Sequence, residues 1–570
     1  MVFGMFNKQG IERLQPILSE HSLLFEDSCI RIYSENKTER IIEDRNKIII
    51  INAQSDNLNF DDADFIKEIE GSFYLLTYDK TKKELKLGID RLGIGDLFYS
   101  ESEGNVSFAT SIKDIFDLGV DKVINTTSLR YYLVYQFIPR PLTIFKNVLK
   151  VPAAHIVGVN DKITIEKYWD MDFNPVKEND EEYHAHNVKT LLKSSIKKQL
   201  EKIKKRQLEK IKDGKIGLLL SGGLDSSIIA FVLKELGADL YTFTGVYPYD
   251  ATYGGNKFGR KIAEEIGSNH TEIVIGPDAI KRLPELYDKM YEPLADSSLL
   301  QAHIIMDAAK KFTPNLFAGE FSDILFGGMQ IYVQDKIARE FWNEAPIKEK
   351  IMVRNNGGSS CVDNFINLTE SFQEFKHYKY GEIFFADDSV TEIFNEQTIH
   401  SFGDVQLNRP IAEIYDNLDL KTEFDKQLYT DLKLASQRRI FHLTEPGKIN
   451  DINLVLPYIN NNLIDYSGKI PGDLKIKGLN QKYILKKAFE TSIPQEIIQR
   501  KKEGFTAPFN LWFKHNKSWV LNQFEQNKLW SQNAKSFVCK IIDKENASYE
   551  DNMKVWILLN LSIWHQKVFS

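Results

Sequence analysis

Apolar residues along this chain change their period twice. Up to about residue 170 they come in short β-rich runs, at 48–51, 71–78, 84–89 and 97–99, separated by Asp, Asn, Lys and Gly, a pattern that predicts strands joined by turns. Between Lys197 and Lys215 the period becomes helical. Leu200, Ile203, Leu208 and Ile211 recur inside a charge run that carries QLEKIK twice, which predicts an amphipathic helix at a domain junction with a solvated lysine face. From Ile216 to Phe326 short buried-strand runs alternate with helical stretches, the pattern of a parallel sheet covered by helices on both faces. The expected division is a domain over 1–175, a linker helix region over 176–214 and a second domain over 215–570.

The stretch that organises the second domain is KIGLLLSGGLDSS, residues 215–227. An apolar run, 216–220, stops at Ser221, Gly222 and Gly223. Asp225, Ser226 and Ser227, residue types suited to capping a first turn, then open an apolar-periodic helix over 228–236. A strand, a glycine turn and a helix leave backbone N–H groups and the positive end of a helix dipole aimed at one spot, an anion site. Asp225 would repel an anionic ligand there unless a cation lay between them, and Mg²⁺ with oxygen ligands meets that need. GGNKFGRK, residues 254–261, imitates a kinase-type phosphate loop but lacks its Gly-Lys-Ser/Thr ending.

At 570 residues two or more domains are expected. The net charge of -7 gives no sign of nucleic-acid binding. Cys29, Cys361 and Cys539 form neither a disulfide framework nor a zinc pattern and fit a reducing cytoplasm. The N-terminus shows no signal peptide, and the longest apolar run, 555–564, is broken by Asn560 and Ser562 and is too short to span a bilayer.

The SGGLDS string resembles the pyrophosphate loop of the ATP pyrophosphatases, which cleave ATP to AMP and pyrophosphate and activate a substrate as its adenylate. A second resemblance lies upstream. EGSFYLLTYD, LGIDRLGIGDLFYS, VSFATSIKDIFDLG and YYLVYQFIPRPLTIFKNVLKVPAAH are similar, in order and spacing from about Glu70 to Trp169, to the latter half of the glutaminase domain of asparagine synthetases. The resemblance implies an α/β protein: an N-terminal Ntn-hydrolase-like αββα sandwich, a degenerate glutaminase, followed by a parallel-sheet ATP-pyrophosphatase synthetase domain of the adenine nucleotide α-hydrolase-like kind. In that family a cysteine exposed by methionine removal attacks the glutamine amide. Here Val2 follows Met1, the family's Asn-Gly-Glu segment has no counterpart between Ile30 and Asp64, and Asp90 is expected only to hold a turn.

The same resemblance assigns the synthetase residues. Leu220 and the strand end at Gly245, with Ala318 and Gly319, lie against the adenine, while Ser221, Gly222, Gly223, Asp225 and Ser226 hold the pyrophosphate. YEPLADSS, residues 291–298, resembles the family's first acidic string. LFAGEFSDILFGGM, residues 316–329, resembles its Ser-Gly-Glu-Gly-Ser-Asp-Glu-Leu-Phe-Gly-Gly: Asp323 joins Asp225 on Mg²⁺, and Glu320 faces the incoming amine. KYILKKAFETSIPQEIIQRKKEGFTAPFNLWF, residues 482–513, resembles the C-terminal string, with Lys502 as the catalytic lysine that stabilises the adenylate and the oxyanion. Lys501 is adjacent, and Glu503 would orient either.

Departures bear on the substrate. Phe321 and Ile324 replace residues of the second string, Tyr291 replaces an acid of the first, and INLVLPYIN, residues 452–460, puts Asn453 and Val455 at the family's Glu and Arg positions. No cationic partners for aspartate are identifiable, and residues 354–390 match nothing. The expected protein is a cytoplasmic, glutaminase-inactive ATP- and Mg²⁺-dependent ligase akin to β-lactam synthetases and lasso-peptide cyclases, making an amide in specialised biosynthesis. Ammonia-dependent asparagine synthesis is the alternative, and an inactive scaffold subunit the second alternative. Its partners are a small-molecule or peptide carboxylate and an amine, without nucleic acid or membrane; a homo-oligomer and biosynthetic partner proteins stay open.

Overall fold

The computed structural model describes residues 1–10, 22–34, 39–53, 58, 60, 65–176, 180–210, 215–248, 255–333, 384–385, 389–500, 507–525 and 527–569, the side chains of 206–210, 255 and 256 excepted. The N-terminal part holds β1 (Val2–Phe6), β2 (Ser22–Glu26), β3 (Ile30–Ser34), β4 (Arg40–Glu43), β5 (Lys47–Asn52), β6 (Tyr74–Asp79), β7 (Glu84–Ile89), β8 (Phe98–Ser102), β9 (Asn105–Ala109), β10 (Leu149–Lys150), β11 (His155–Val159) and β12 (Ile163–Lys167). They form two antiparallel sheets, in the orders β10-β8-β9-β1-β3-β2 and β12-β11-β7-β6-β5-β4. The isoleucines of β5 show why both sheets need outer cover. Ile48 and Ile50 point into the core between the sheets with Tyr78 and Leu87, while Ile49 and Ile51 point outward onto Phe65, Ile66 and Phe73. A strand apolar on both faces must be covered on both, and the helix Phe65–Glu68 does so here, as Ile112–Asp117 does over β8 and β9 of the other sheet. The result is the expected αββα sandwich. Asp90 is buried in a turn and accepts from the N–H groups of Leu92, Ile94 and Gly95 at 3.1, 3.0 and 2.7 Å.

The second sheet system comprises β13 (Ile216–Leu219), β14 (Leu240–Val246), β15 (Asn269–Val274), β16 (Asn315–Phe317) and β17 (Asn453–Val455), in the order β15-β14-β13-β16-β17. All its pairs are parallel. The chain runs outward from β13 to β15 and then returns to the other side of β13 for β16, so the strand order reverses there. Ligand crevices in open parallel sheets form outside the carboxyl ends of strands at such a reversal. The helix Glu181–Lys210 buries Val188, Leu192, Ile196, Leu200 and Ile203 in the same cluster as Ile216, Ile228 and Phe317.

The apolar run near the C-terminus lies in the helix Tyr549–Phe569, which joins the two domains. Tyr132 donates to the Ile557 carbonyl at 2.9 Å, and the Phe145 and Trp564 rings lie 6.1 Å apart. Among the described residues no helix is long and apolar enough to cross a membrane. Charges cross the same interface: Arg91 holds Asp465 by two bonds of 2.9 and 3.1 Å, and Lys150 meets Glu292 at 2.6 Å. Lys150 is buried, and that burial pushes its ammonium group down despite the Glu292 charge. Removing one member of a buried ion pair leaves the other uncompensated. Lys150→Met is therefore expected to cost roughly 3 kcal/mol in chemical denaturation, with most of it recovered in the double variant Lys150→Met/Glu292→Leu.

Candidate functional site

The bend after β13 is built for close approach. Leu220 donates to the Phe243 carbonyl at 2.9 Å, continuing the β13–β14 ladder to its end. Gly222 then turns with φ +70°, and a β-carbon there would sit 2.5 Å from the Gly259 nitrogen. Arg500 donates to the Gly222 carbonyl at 2.7 Å while its guanidinium lies 4.2 Å from the Phe258 ring centre. The helix Leu224–Glu235 begins with Gly223 as its N-cap and has no side-chain cap. The expectation that Asp225, Ser226 and Ser227 cap this turn is corrected: the Ser226 and Ser227 hydroxyls donate backwards to the Gly223 carbonyl, at 3.2 and 2.6 Å. An uncapped helix start keeps its first amides available to an anion.

Leu220, Gly245 and the pair Ala318–Gly319 fall at the carboxyl ends of three neighbouring strands, β13, β14 and β16. Ala318 donates to the Val455 carbonyl at 3.0 Å. A β-carbon on Gly319 would lie 2.8 Å from the Ser226 nitrogen and 2.9 Å from the Asp225 carbonyl carbon. That glycine lets the loop after β16 rest directly on the helix start after β13.

This approach brings Asp225 and Asp323 to one point, and a lysine occupies it. The Lys482 ammonium lies 2.7 Å from each Asp225 carboxylate oxygen, 2.5 Å from Asp323 Oδ1 and 2.8 Å from the Ser322 hydroxyl. Its side chain is buried. Tyr458, also buried, donates to the Asp225 carbonyl at 3.3 Å. The oxygens that converge on this ammonium are hard donors, and two carboxylates are what a divalent ion carried by a triphosphate requires of a protein. The site residues therefore fit Mg²⁺. Among the described residues no cluster of three or more His, Cys, Asp or Glu side chains is arranged to hold a metal without such a partner.

Glu320 follows β16 in the same loop. His442 Nε2, from the helix Ala435–Ile449, is 3.8 Å from Glu320 Oε2. The same helix carries Arg438, whose Nε is 3.6 Å from Asp296 Oδ2. Burial alone would raise the Asp296 carboxyl, but His442, Arg438 and Arg439 outweigh it and hold the group below the ordinary range. Gln136, from the N-terminal domain, accepts from Arg438 Nη1, and its carbonyl accepts from Ala295 N–H at 2.9 Å. The first acidic string thus divides. Asp296 faces the helix of cations, whereas Glu292 turns away to Lys150 and accepts from Ile144 N–H at 3.1 Å. Asn453 is taken up by Asn315 across the β16–β17 pair, at 2.8 Å.

Lys501, Lys502 and Glu503 lie outside the described residues, as do Gly254 and most of 354–390, and the side chains of Leu208 and Ile211 are not described. Sequence reasoning missed Lys482, His442, Arg438 and Gln136. Lys482 opens the quoted KYILKK string, but nothing in the local pattern separates it from Lys486 and Lys487. The basic residues of helix Ala435–Ile449 stand in RRIFH, a string with no local pattern that ties it to the acidic strings.

Residues 195–566 match the family described as asparagine synthase, and residues 60–169 match a glutamine amidotransferase domain. The chain is 25% identical over 525 residues to glutamine-hydrolysing asparagine synthetase 1 of Bacillus subtilis, covering 87% of this chain and 78% of that one. It is 23% identical over 469 residues to asparagine synthetase 3 of the same organism, covering 78% and 68%. It is also 21% identical over 502 residues to amidase chyE of Penicillium rubens, covering 79% and 71%.

Phe321 adopts φ 84°, ψ −17°, a left-handed conformation that strains a bulky residue, yet its ring is 1% exposed in the core. Relief of such strain is worth about 1–3 kcal/mol, while losing a buried phenyl ring costs about 3–5 kcal/mol. Phe321→Gly is expected to lower stability by roughly 2 kcal/mol in thermal or denaturant melts, since the ring outweighs the strain. Gly319→Ala drives a methyl into backbone and is expected to weaken binding of a non-hydrolysable ATP analogue with Mg²⁺ by about tenfold or more in calorimetry.

Proposed function

The chain belongs to the asparagine synthase family and is an ATP-dependent amide ligase, and we propose that it works in the AMP- and pyrophosphate-forming mode with no glutaminase of its own. The observation that carries this reading is the convergence of Asp225 and Asp323, from the loops after two adjacent parallel strands, on one point beside an uncapped helix start. An oxygen of the substrate carboxylate attacks the α-phosphorus of ATP, the α–β anhydride bond breaks, and pyrophosphate leaves against the amides of the SGGLDS bend. Mg²⁺, held by Asp225 and Asp323, would supply charge neutralisation at the phosphates. The amine nitrogen then attacks the acyl carbon, the bond to AMP breaks, and Glu320 takes the amine proton. Lys502 is assigned the charge that grows on the phosphate and the acyl oxygen.

The amine does not come from glutamine on this reading. Val2 is buried in β1 and its N–H donates to Thr110 Oγ1 at 3.1 Å. Cys29 adjoins Ile30, which pairs with Phe6, whereas Val2 pairs with Ser34 at the other end of the ladder. The Cys29 thiol is buried and donates to the Lys8 carbonyl at 3.4 Å, so it does not replace a terminal nucleophile. The amine is then free ammonia or part of a larger substrate, and the favoured role is amide formation in specialised biosynthesis, of the macrolactam or β-lactam type. Ammonia-dependent asparagine synthesis is the second reading, favoured by the guanidinium groups of Arg438 and Arg439 and the imidazole of His442 on the helix that faces Glu320 and Asp296.

The test is pyrophosphate release from ATP and Mg²⁺ with a panel of carboxylates, L-aspartate included, with and without ammonia or amines, followed by product mass. AMP and pyrophosphate are expected in equal amounts with one amide product, and glutamine is expected to yield no glutamate. ADP and phosphate as products, or glutamine working as well as ammonia, would contradict the proposal. Glu320→Gln is expected to lower amide formation about a hundredfold while adenylate formation survives, and Lys502→Ala to lower both.

A further inference from the structure

The divalent-ion site has a cation of its own, and the surrounding packing is shaped to admit it. Lys482 reaches Asp225 and Asp323 from a left-handed backbone, φ 53°, one residue before the helix Tyr483–Phe489. Gln481 beside it donates from Nε2 to the Gly328 carbonyl at 3.0 Å. A β-carbon on Gly328 would lie 2.0 Å from Lys482 Cε and 2.1 Å from Asp323 Oδ1, so the glycine opens the channel through which the lysine enters. One turn further on, burial and the neighbouring Lys482 charge push the Lys486 ammonium group down. Three oxygens of the two aspartates and one hydroxyl are already engaged by a single buried ammonium. A hydrated ion arriving alone would have to lose water and displace that ammonium from both carboxylates at once. A triphosphate arriving with its ion brings oxygens of its own, and these give the ammonium a new partner.

We infer that Lys482 is a resident counter-ion that closes the Asp225–Asp323 pair to free divalent cations, so that the pair accepts such a cation only as its complex with a nucleoside triphosphate. The inference rests on reading the site as a metal-triphosphate seat. Its consequence is an order of binding: no metal before nucleotide, and no idle metal site in the resting protein.

Electron paramagnetic titration with Mn²⁺ tests this on the full chain, with Asp323→Asn as the background for unrelated surface binding. Wild-type protein is expected to bind no Mn²⁺ above that background when the ion is alone, and to bind it once α,β-methylene-ATP is present. Lys482→Met, of similar length and without charge, is expected to bind Mn²⁺ alone about tenfold tighter than wild type or more, and to lose this in the double variant with Asp323→Asn. Wild type binding Mn²⁺ alone as tightly as with the analogue would overturn the counter-ion assignment and leave the metal-triphosphate seat standing. No Asp323-dependent binding even with the analogue would overturn the seat itself, and the inference with it. If Lys482→Met does not fold by circular dichroism, the two wild-type titrations still decide.

Discussion

Two carboxylates drawn out of water toward one point need a positive charge between them, and the architecture of the synthetase domain follows from that requirement. Asp225 is fixed by the start of the helix after β13, and Asp323 by the short helix Ser322–Phe326 after β16. Parallel pairing of Leu218 with Phe317 sets the two loops side by side, and Gly319 removes the side chain that would hold them apart. Lys482 is supplied from far along the chain, across the helices and β17 that close the domain. The fold spends three separate chain segments on one small charge-balanced volume. A buried charge is tolerable only when it is paired in this way.

A second consequence concerns the N-terminal domain. Its two sheets carry no thiol at the first strand's start, yet it is bound to the synthetase domain by apolar packing, by Arg91–Asp465 and Lys150–Glu292, and by Gln136 on Arg438. Gln136 is fully buried at the end of the helix Thr126–Tyr135 and touches both the loop of Asp296 and the helix of His442. The domain therefore contacts both the segment that carries Asp296 and the helix that carries His442. These contacts give the domain a physical reason to be kept.

Much of this was legible in the residues. The alternation of strands and helices after Ile216, the glycine bend and the two acidic strings placed the crevice, because local periodicity and turn chemistry act over a few residues. What stayed hidden was pairing at long range. Nothing in KYILKK marks Lys482 as buried while Lys487 takes surface partners Glu182 and Glu490. Glu292 and Asp296, four apart in one string, face different partners because the segment between them is not helical, and only the folded chain shows that one serves the domain interface. The capping assignment failed for a similar reason. Serine hydroxyls that cap many helices here bond back to Gly223, since the helix starts at Leu224, ahead of them.

A crystal structure of the full chain with Mg²⁺ and α,β-methylene-ATP reads directly where the nucleotide sits. The triphosphate is predicted on the amides of the bend between Ser221 and Ser227, its ion touching Asp225 and Asp323, with the Lys482 ammonium moved off at least one of them onto phosphate oxygen. Nucleotide bound elsewhere, or an ion that leaves both aspartates on Lys482, would contradict it.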